Sequence, residues 1–323
     1  MKTAGRARHI LAGMCDVQYV DDFTGSPRLL VRRHIAAAAA PSGRAPVLYI
    51  HGATFPSGLS VAYRFDGRSW FDQLAEAGFD PWAFDFAGFG GSDRYPMQGD
   101  GEPRGRADEA AAQIARVAAL IRSRSGNARL SIIAHSWGSI AAGRFAGACP
   151  EQVDRMVLFG PIAQRDGAAS PRQMRPWRDI TVDEQWQRFV ADVPDGHPAV
   201  LSRRQFDDWA RHYLASDPDS AGRTPASVRV PGGPAADIAS AWSGALPYDP
   251  AAIRAPVLII RGEWDSLAND RDAARLMAAL HNAPSRRDLK LPAGTHLMHL
   301  ETGRHLLHRE VAAFLGAGQP GLY

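Results

Sequence analysis

The chain has 323 residues, 45% of them hydrophobic, which suffices for one α/β core with an insertion. Thirty-seven Lys and Arg stand against 34 Asp and Glu, a formal charge of +3 with no basic stripe, so neither nucleic acid nor a membrane surface is an expected partner. Cys15 and Cys149 lack metal-ligand spacing, no apolar h-region follows the first residues, and no segment nears the roughly 20 apolar residues of a membrane span; a reduced, cytoplasmic protein is expected.

In chain order, Leu29–Ile35 reads as an early strand, followed by a flexible connection through Ala36–Ala40 and Pro41-Ser-Gly. The apolar run Val47–Ile50 is a second strand and Ser69–Ala77 a helix. Trp82–Phe86 is a third strand, Ala107–Arg122 an alanine-rich helix, Leu130–Ala134 a fourth strand, with another helix after Ser139. Val153–Phe159 closes this stretch as a strand. Strands alternating with helices of this length imply a parallel sheet covered on both faces.

Residues 162–246 break the alternation. Thr181-Val-Asp-Glu184 is a capping box opening a helix to about Ala191, Ser202 opens another to about Ala215, and Ala235–Trp242 is a third, stopped by Gly244. With no convincing buried strand, this stretch reads as a helical cap (lid) on a core of residues 1–161 and 247–323. It holds Trp177, Trp186, Trp209 and Trp242, four of the eight tryptophans; each is most simply cap core, yet a lid must lend some surface to a pocket. Its ten arginines face a comparable number of carboxylates, so counting gives no electrostatic preference for substrate. From Pro247 the alternation returns, with strands at Val257–Gly262 and Leu289–Pro292 and a last helix, Gly303–Leu315.

The chemistry concentrates at three strand ends. Ser136 follows an apolar run directly, with Ala134 and Gly138 at −2 and +2, the small neighbours that a sharp strand-to-helix turn requires. Ser60 and Ser243 satisfy the same loose spacing but follow no strand. Asp265 lies just past Val257–Gly262; Asp270 and Asp272 suit the first turn of the next helix, where carboxylates favour the dipole, and Asp166 is the rival from another strand. His296 follows the Gly294 turn. His299 reads as a helix-start or pocket-rim residue, His305 and His308 as solvated, and Trp264 as core. The order Ser136, Asp265, His296 is nucleophile, acid, base, each beyond a strand's carboxyl end.

The sequence resembles the serine hydrolases of the α/β-hydrolase superfamily, in the branch with an inserted cap. Val47-Leu-Tyr-Ile-His51-Gly52-Ala53-Thr54 is similar to the family's strand and oxyanion loop. Asp85-Phe-Ala-Gly88-Phe-Gly90-Gly-Ser92 resembles its structural Asp-x-x-Gly-x-Gly-x-Ser turn. Gly294-Thr-His296 with Glu301 resembles the surroundings of its catalytic histidine. The resemblance implies an α/β-hydrolase fold, a mostly parallel sheet flanked by helices with a helical cap. It implies oxyanion donors at the backbone of Ala53 and Trp137, a structural His51, and no metal or organic cofactor. Thr54 and the four cap tryptophans are the substrate-binding candidates. A serine where dehalogenase and epoxide-hydrolase relatives carry aspartate favours ester, thioester or lactone cleavage of a small acyl substrate. The missing Gly-Gly-Pro-Gly loop counts against a peptidase. Acyl transfer or cyclisation by the same triad, and a non-catalytic binding protein on this fold, are the alternatives.

Overall fold

A computed structural model describes the backbone of residues 15–20, and residues 27–34, 45–96, 101–126, 128–167 and 174–317 in full. The expected connection through Ala36–Ala40, the Cys15 side chain and Arg172 lie outside the described residues.

The strands are β1 (Cys15–Val20), β2 (Leu29–His34), β3 (Pro46–Ile50), β4 (Asp80–Phe84), β5 (Leu130–His135), β6 (Val153–Phe159), β7 (Trp177–Thr181), β8 (Ser227–Pro231), β9 (Val257–Gly262) and β10 (Arg286–Leu291). The helices are α1 (Trp70–Glu76), α2 (Ala107–Arg124), α3 (Gly138–Ala148), α4 (Val182–Val190), α5 (Arg203–Ala215), α6 (Gly233–Trp242), α7 (Asp270–Ala279) and α8 (Arg304–Gly316). Eight strands form one sheet in the order β1-β2-β4-β3-β5-β6-β9-β10. From β4 to β10 every pairing is parallel, whereas β1 and β2 join antiparallel at one edge. The central strands β3, β5 and β9 are buried along their whole length, which accounts for their predominantly apolar sequences. Two apolar clusters fill the two faces of the sheet.

The inserted stretch between β6 and β9 departs from an all-helical reading. Besides α4, α5 and α6 it contains an antiparallel ribbon, β7 with β8. This ribbon escapes a search for buried strands because its outward positions are charged: Asp179 and Arg229 are register partners and form a bidentate ion pair at 2.6 Å. The ends of the insertion are zipped together, Arg165 and Gly167 donating backbone N–H groups to Ala241 and Trp242. Its apolar side chains, among them Phe189, Phe206, Trp209 and Tyr213, are continuous with the core over one sheet face. The capping box at Thr181 is formed, and a further one at Asn269 places Asp270 and Asp272 in the first turn of α7.

Candidate active site

Ser136 sits between β5 and α3 with φ +55°, a left-handed conformation that a side-chain-bearing residue adopts only when its surroundings enforce it. Those surroundings are visible. Its N–H is held by the Phe159 carbonyl at 2.9 Å. A Cβ at Gly138 would lie 2.5 Å from the His51 carbonyl oxygen, so the turn can press against the β3 loop only with glycine there. Gly160, at the end of β6, also has positive φ, and a Cβ there would come within 3.0 Å of Asp265 and 3.1 Å of His296. Nothing in its local sequence advertises that role.

The three residues at the strand ends converge. The Ser136 hydroxyl donates to His296 Nε2 at 2.8 Å, and His296 Nδ1–H donates to the Asp265 carboxylate at 2.9 and 3.0 Å. Asp265 is fixed in turn by the N–H groups of Leu267 and Ala268, 2.9 and 3.0 Å from Oδ1. All three are at most 4% exposed. Asp166 is remote from this arrangement, exposed and paired with Arg275. Ser60 donates its hydroxyl to the Pro56 and Ser57 carbonyls, and Ser243 to those of Ala239 and Ser240, so neither meets a base.

His51 is buried and structural. Its Nδ1–H donates to the Gly52 carbonyl at 2.7 Å and its Nε2 accepts from Phe86 N–H at 3.1 Å, while burial pulls its pKa down to about 4 and keeps it neutral. Ala53 follows on this loop and Trp137 follows Ser136; among the described residues neither backbone N–H is committed to a protein acceptor. The Trp137 indole donates to Asp237 of α6 at 3.0 Å, and Arg106 holds Asp237 from the other side. Thr54, next in the chain after Ala53, is buried. The Asp85 turn is structural: Asp85 accepts from Ser57, Arg32 and Gly91, and Ser92 bonds back to its carbonyl.

Two histidines differ from expectation. His308 is buried, not solvated: its ring stacks on Trp70 at 4.6 Å and its Nδ1 meets Gln73, because this position of α8 faces α1. His299 is buried rather than at a rim, packed on His135 at 4.6 Å and on Phe159 at 5.2 Å. Trp264 is half-buried, edge-on to His197.

The tryptophans of the insertion divide. Trp209 is wholly buried; it stacks on Tyr213, meets Phe55 edge-on at 5.2 Å and donates its indole N–H to the Leu59 carbonyl at 3.0 Å. Trp209→Ala should therefore destabilise the protein by about 3–5 kcal/mol, read from denaturant unfolding, a cavity effect. A cost under about 1 kcal/mol would show that the insertion repacks freely. Trp177, Trp186 and Trp242 are only partly buried, Trp186 beneath Arg203 and Trp242 beneath Arg165.

Glu301 lies under the His296 turn, accepting hydrogen bonds from the Thr295 hydroxyl and N–H. Burial pushes its pKa from 4.5 up to about 7, against the pull of those donors. A carboxyl raised in this way lends stability that is complete below about 4.5 and lost as pH rises through about 7. Melting temperature should fall across that window, and Glu301→Gln should flatten the fall, by roughly 3 kcal/mol at most. An unchanged slope in Glu301→Gln would assign the fall to another group.

Open parallel sheets carry their sites at the carboxyl ends of the strands, and the serine, histidine and aspartate above stand there. A family model described as the alpha/beta hydrolase fold matches residues 45–302. The chain belongs to the α/β-hydrolase family. No curated protein matches it in sequence. Among solved structures it is similar to the serine hydrolase CarC, involved in carbazole degradation, at 16% identity and TM-score 0.63, covering 94% of this chain and 99% of that one. It is also similar to the thioesterase domain from the curacin biosynthetic pathway, at 15% identity and TM-score 0.61, covering 94% and 100%. A third is a carboxylesterase structure from Nitrososphaera gargenis, at 14% identity and TM-score 0.61, covering 92% and 97%. At these identities the likeness is one of fold. Among the described residues no helix is long and apolar enough to cross a membrane.

Proposed function

We propose that this protein is a serine hydrolase that cleaves a carboxylic ester, thioester or lactone through an acyl-enzyme. The observation that carries the reading is the unbroken relay from Ser136 through His296 to Asp265, each contact at hydrogen-bond distance. His296 takes the hydroxyl proton as Ser136 attacks the carbonyl carbon, then returns it to the departing alcohol or thiol. Asp265 keeps the imidazole oriented, with Nδ1 protonated and Nε2 free to accept. The uncommitted N–H groups of Ala53 and Trp137 receive the oxyanion, a contribution worth roughly 3 kcal/mol per donor where measured. Water then attacks the acyl-enzyme with His296 as base. Residues 162–246 act as the lid, and the partly buried Trp177, Trp186 and Trp242 are its candidate contacts with the remote part of the substrate.

Acyl transfer is the second reading, favoured by the near-complete burial of Ser136 and His296, which keeps bulk water from the acyl-enzyme. Labelling with a fluorophosphonate probe, followed by a p-nitrophenyl ester chain-length series with and without competing acyl acceptors, separates the readings. A hydrolase labels and releases free acid, and a transferase labels and passes the acyl group on. A protein that neither labels nor turns over any ester is a binding protein, and the proposal fails.

A further inference from the structure

The ten arginines of residues 162–246 match the carboxylates in number, but the fold distributes that balance unevenly. Arg165, Arg203, Arg211, Arg223 and Arg229 each lie 2.5–2.8 Å from a carboxylate oxygen. Arg175, Arg178 and Arg204 face solvent. Arg188 does neither. It is half-buried on α4, its Nε is withdrawn from solvent without a hydrogen-bond partner, and among the described residues no carboxylate lies within ion-pair distance of its guanidinium. Gln185, one turn earlier on the same helix, is fully buried, and although it lies beside the Tyr213 hydroxyl, neither atom of its amide completes a hydrogen bond. A fold keeps polar groups out of water without partners only at a cost, so the Arg188 Nε and the Gln185 amide call for a partner, and a bound ligand is one that would complete their bonding.

The helix that carries them is joined by a chain of ring contacts to the strand end that bears the proposed nucleophile. Phe189, next to Arg188, packs on Trp209 at 5.7 Å, Trp209 on Phe55 at 5.2 Å, Phe55 on His299 at 6.2 Å, and His299 on His135, the residue before Ser136. The Arg188 charge reaches His135 itself, adding to the burial that lowers its pKa. Arg178 adds positive charge from the ribbon. Asp192, the carboxylate nearest in effect, is turned away to Ser266, accepting from its N–H and hydroxyl at 3.1 and 3.0 Å.

We propose that Arg188 and Gln185 form an anion-binding subsite in the roof over Ser136, and that the substrate is an acyl compound with a carboxylate remote from its scissile carbonyl. A guanidinium fork matches the two oxygens of a carboxylate, and the Gln185 amide supplies a further donor. The inference rests on the reading of Ser136 as the acyl-forming nucleophile.

The test compares p-nitrophenyl hemisuccinate, hemiglutarate and hemiadipate with neutral p-nitrophenyl esters of matched length. For at least one length the wild-type kcat/KM ratio of hemi-ester to neutral ester should exceed roughly tenfold. In Arg188→Gln that ratio should fall roughly ten- to a hundredfold, with Arg188→Lys in between. A wild-type ratio at or below one throughout, or a ratio that Arg188→Gln leaves unaltered, overturns the subsite while the cleaved neutral ester keeps the nucleophile reading. If neither ester type is cleaved, the nucleophile reading fails and thermal-shift titration with monomethyl glutarate, adipate and pimelate decides the subsite. Stabilisation that disappears in Arg188→Gln supports it, and no stabilisation overturns it. Inorganic phosphate in the same titration separates the anions: stabilisation by phosphate alone overturns the carboxylate assignment. Should the Arg188 variants not fold, Gln185→Leu should still lower the hemi-ester ratio, and an unchanged ratio there counts against the proposal.

Discussion

Ser136→Ala should abolish fluorophosphonate labelling and reduce ester turnover by about a millionfold, the scale seen when a nucleophile of this kind is removed. Stability should hardly change. The hydroxyl makes one hydrogen bond, to His296, and its loss leaves an imidazole nitrogen facing a cavity the size of one oxygen. Ser136→Gly sharpens the test. The φ of +55° is enforced by the Phe159 carbonyl and by the close pass of Gly138 under the β3 loop, and glycine relieves that conformational cost without altering either contact. The glycine variant should therefore melt at or above the wild-type temperature while being as inert as the alanine one. Labelling that survives in Ser136→Ala and vanishes in Ser60→Ala would place the nucleophile elsewhere. A glycine variant much less stable than the alanine one would mean that the turn is not strained.

The parts of the fold that were legible in the sequence are those where one physical demand dominates. β3, β5, β6 and β9 are buried on both faces, so their apolar runs could be read almost to the residue. The capping box at Thr181 announced α4 by local hydrogen bonding alone, and the paired carboxylates Asp270 and Asp272 marked the first turn of α7. β10 is legible only at its end: an edge strand, mostly exposed, it opens as Arg-Arg-Asp and sets Asp288 against Arg261. The β7–β8 ribbon escapes an apolar-run search for a like reason, its outward register partners Asp179 and Arg229 being an ion pair. Ser136, Asp265 and His296 were legible because each must follow a strand. What local pattern could not give was pairing across the chain. The arginines of the insertion look balanced by count, and only the three-dimensional arrangement isolates Arg188. Likewise Gly160 looks like any loop glycine until its neighbours are known to be Asp265 and His296.

Asp265→Asn should lower kcat by about four orders of magnitude, with a loss of stability under about 1.5 kcal/mol. The geometry dictates why. Oδ1 of Asp265 accepts from the Leu267 and Ala268 N–H groups, and an asparagine there must keep its oxygen on those donors. Its amide nitrogen then faces His296 Nδ1 and donates to it, which obliges the imidazole to carry its proton on Nε2. That nitrogen, 2.8 Å from the Ser136 hydroxyl, becomes a donor and can no longer take the serine proton. The fold is preserved because shape and two of the hydrogen bonds are kept; the relay is lost because the tautomer is wrong. The neighbouring carboxylates provide the contrast. Asp270 is an exposed partner of Arg261 and Lys290, Asp166 an exposed partner of Arg275, and Asp272 holds Arg165 and the start of α7. Asparagine at Asp166 or Asp270 should leave kcat within about threefold, since screened surface pairs contribute little, and at Asp272 should cost stability before it costs rate. Steady-state kinetics on a p-nitrophenyl ester, with unfolding curves for each variant, distinguishes these outcomes. If Asp166→Asn is the damaging change and Asp265→Asn is mild, the acid of the relay belongs to the β6 loop. A uniform modest loss in all four would mean that the histidine needs no carboxylate to hold its tautomer.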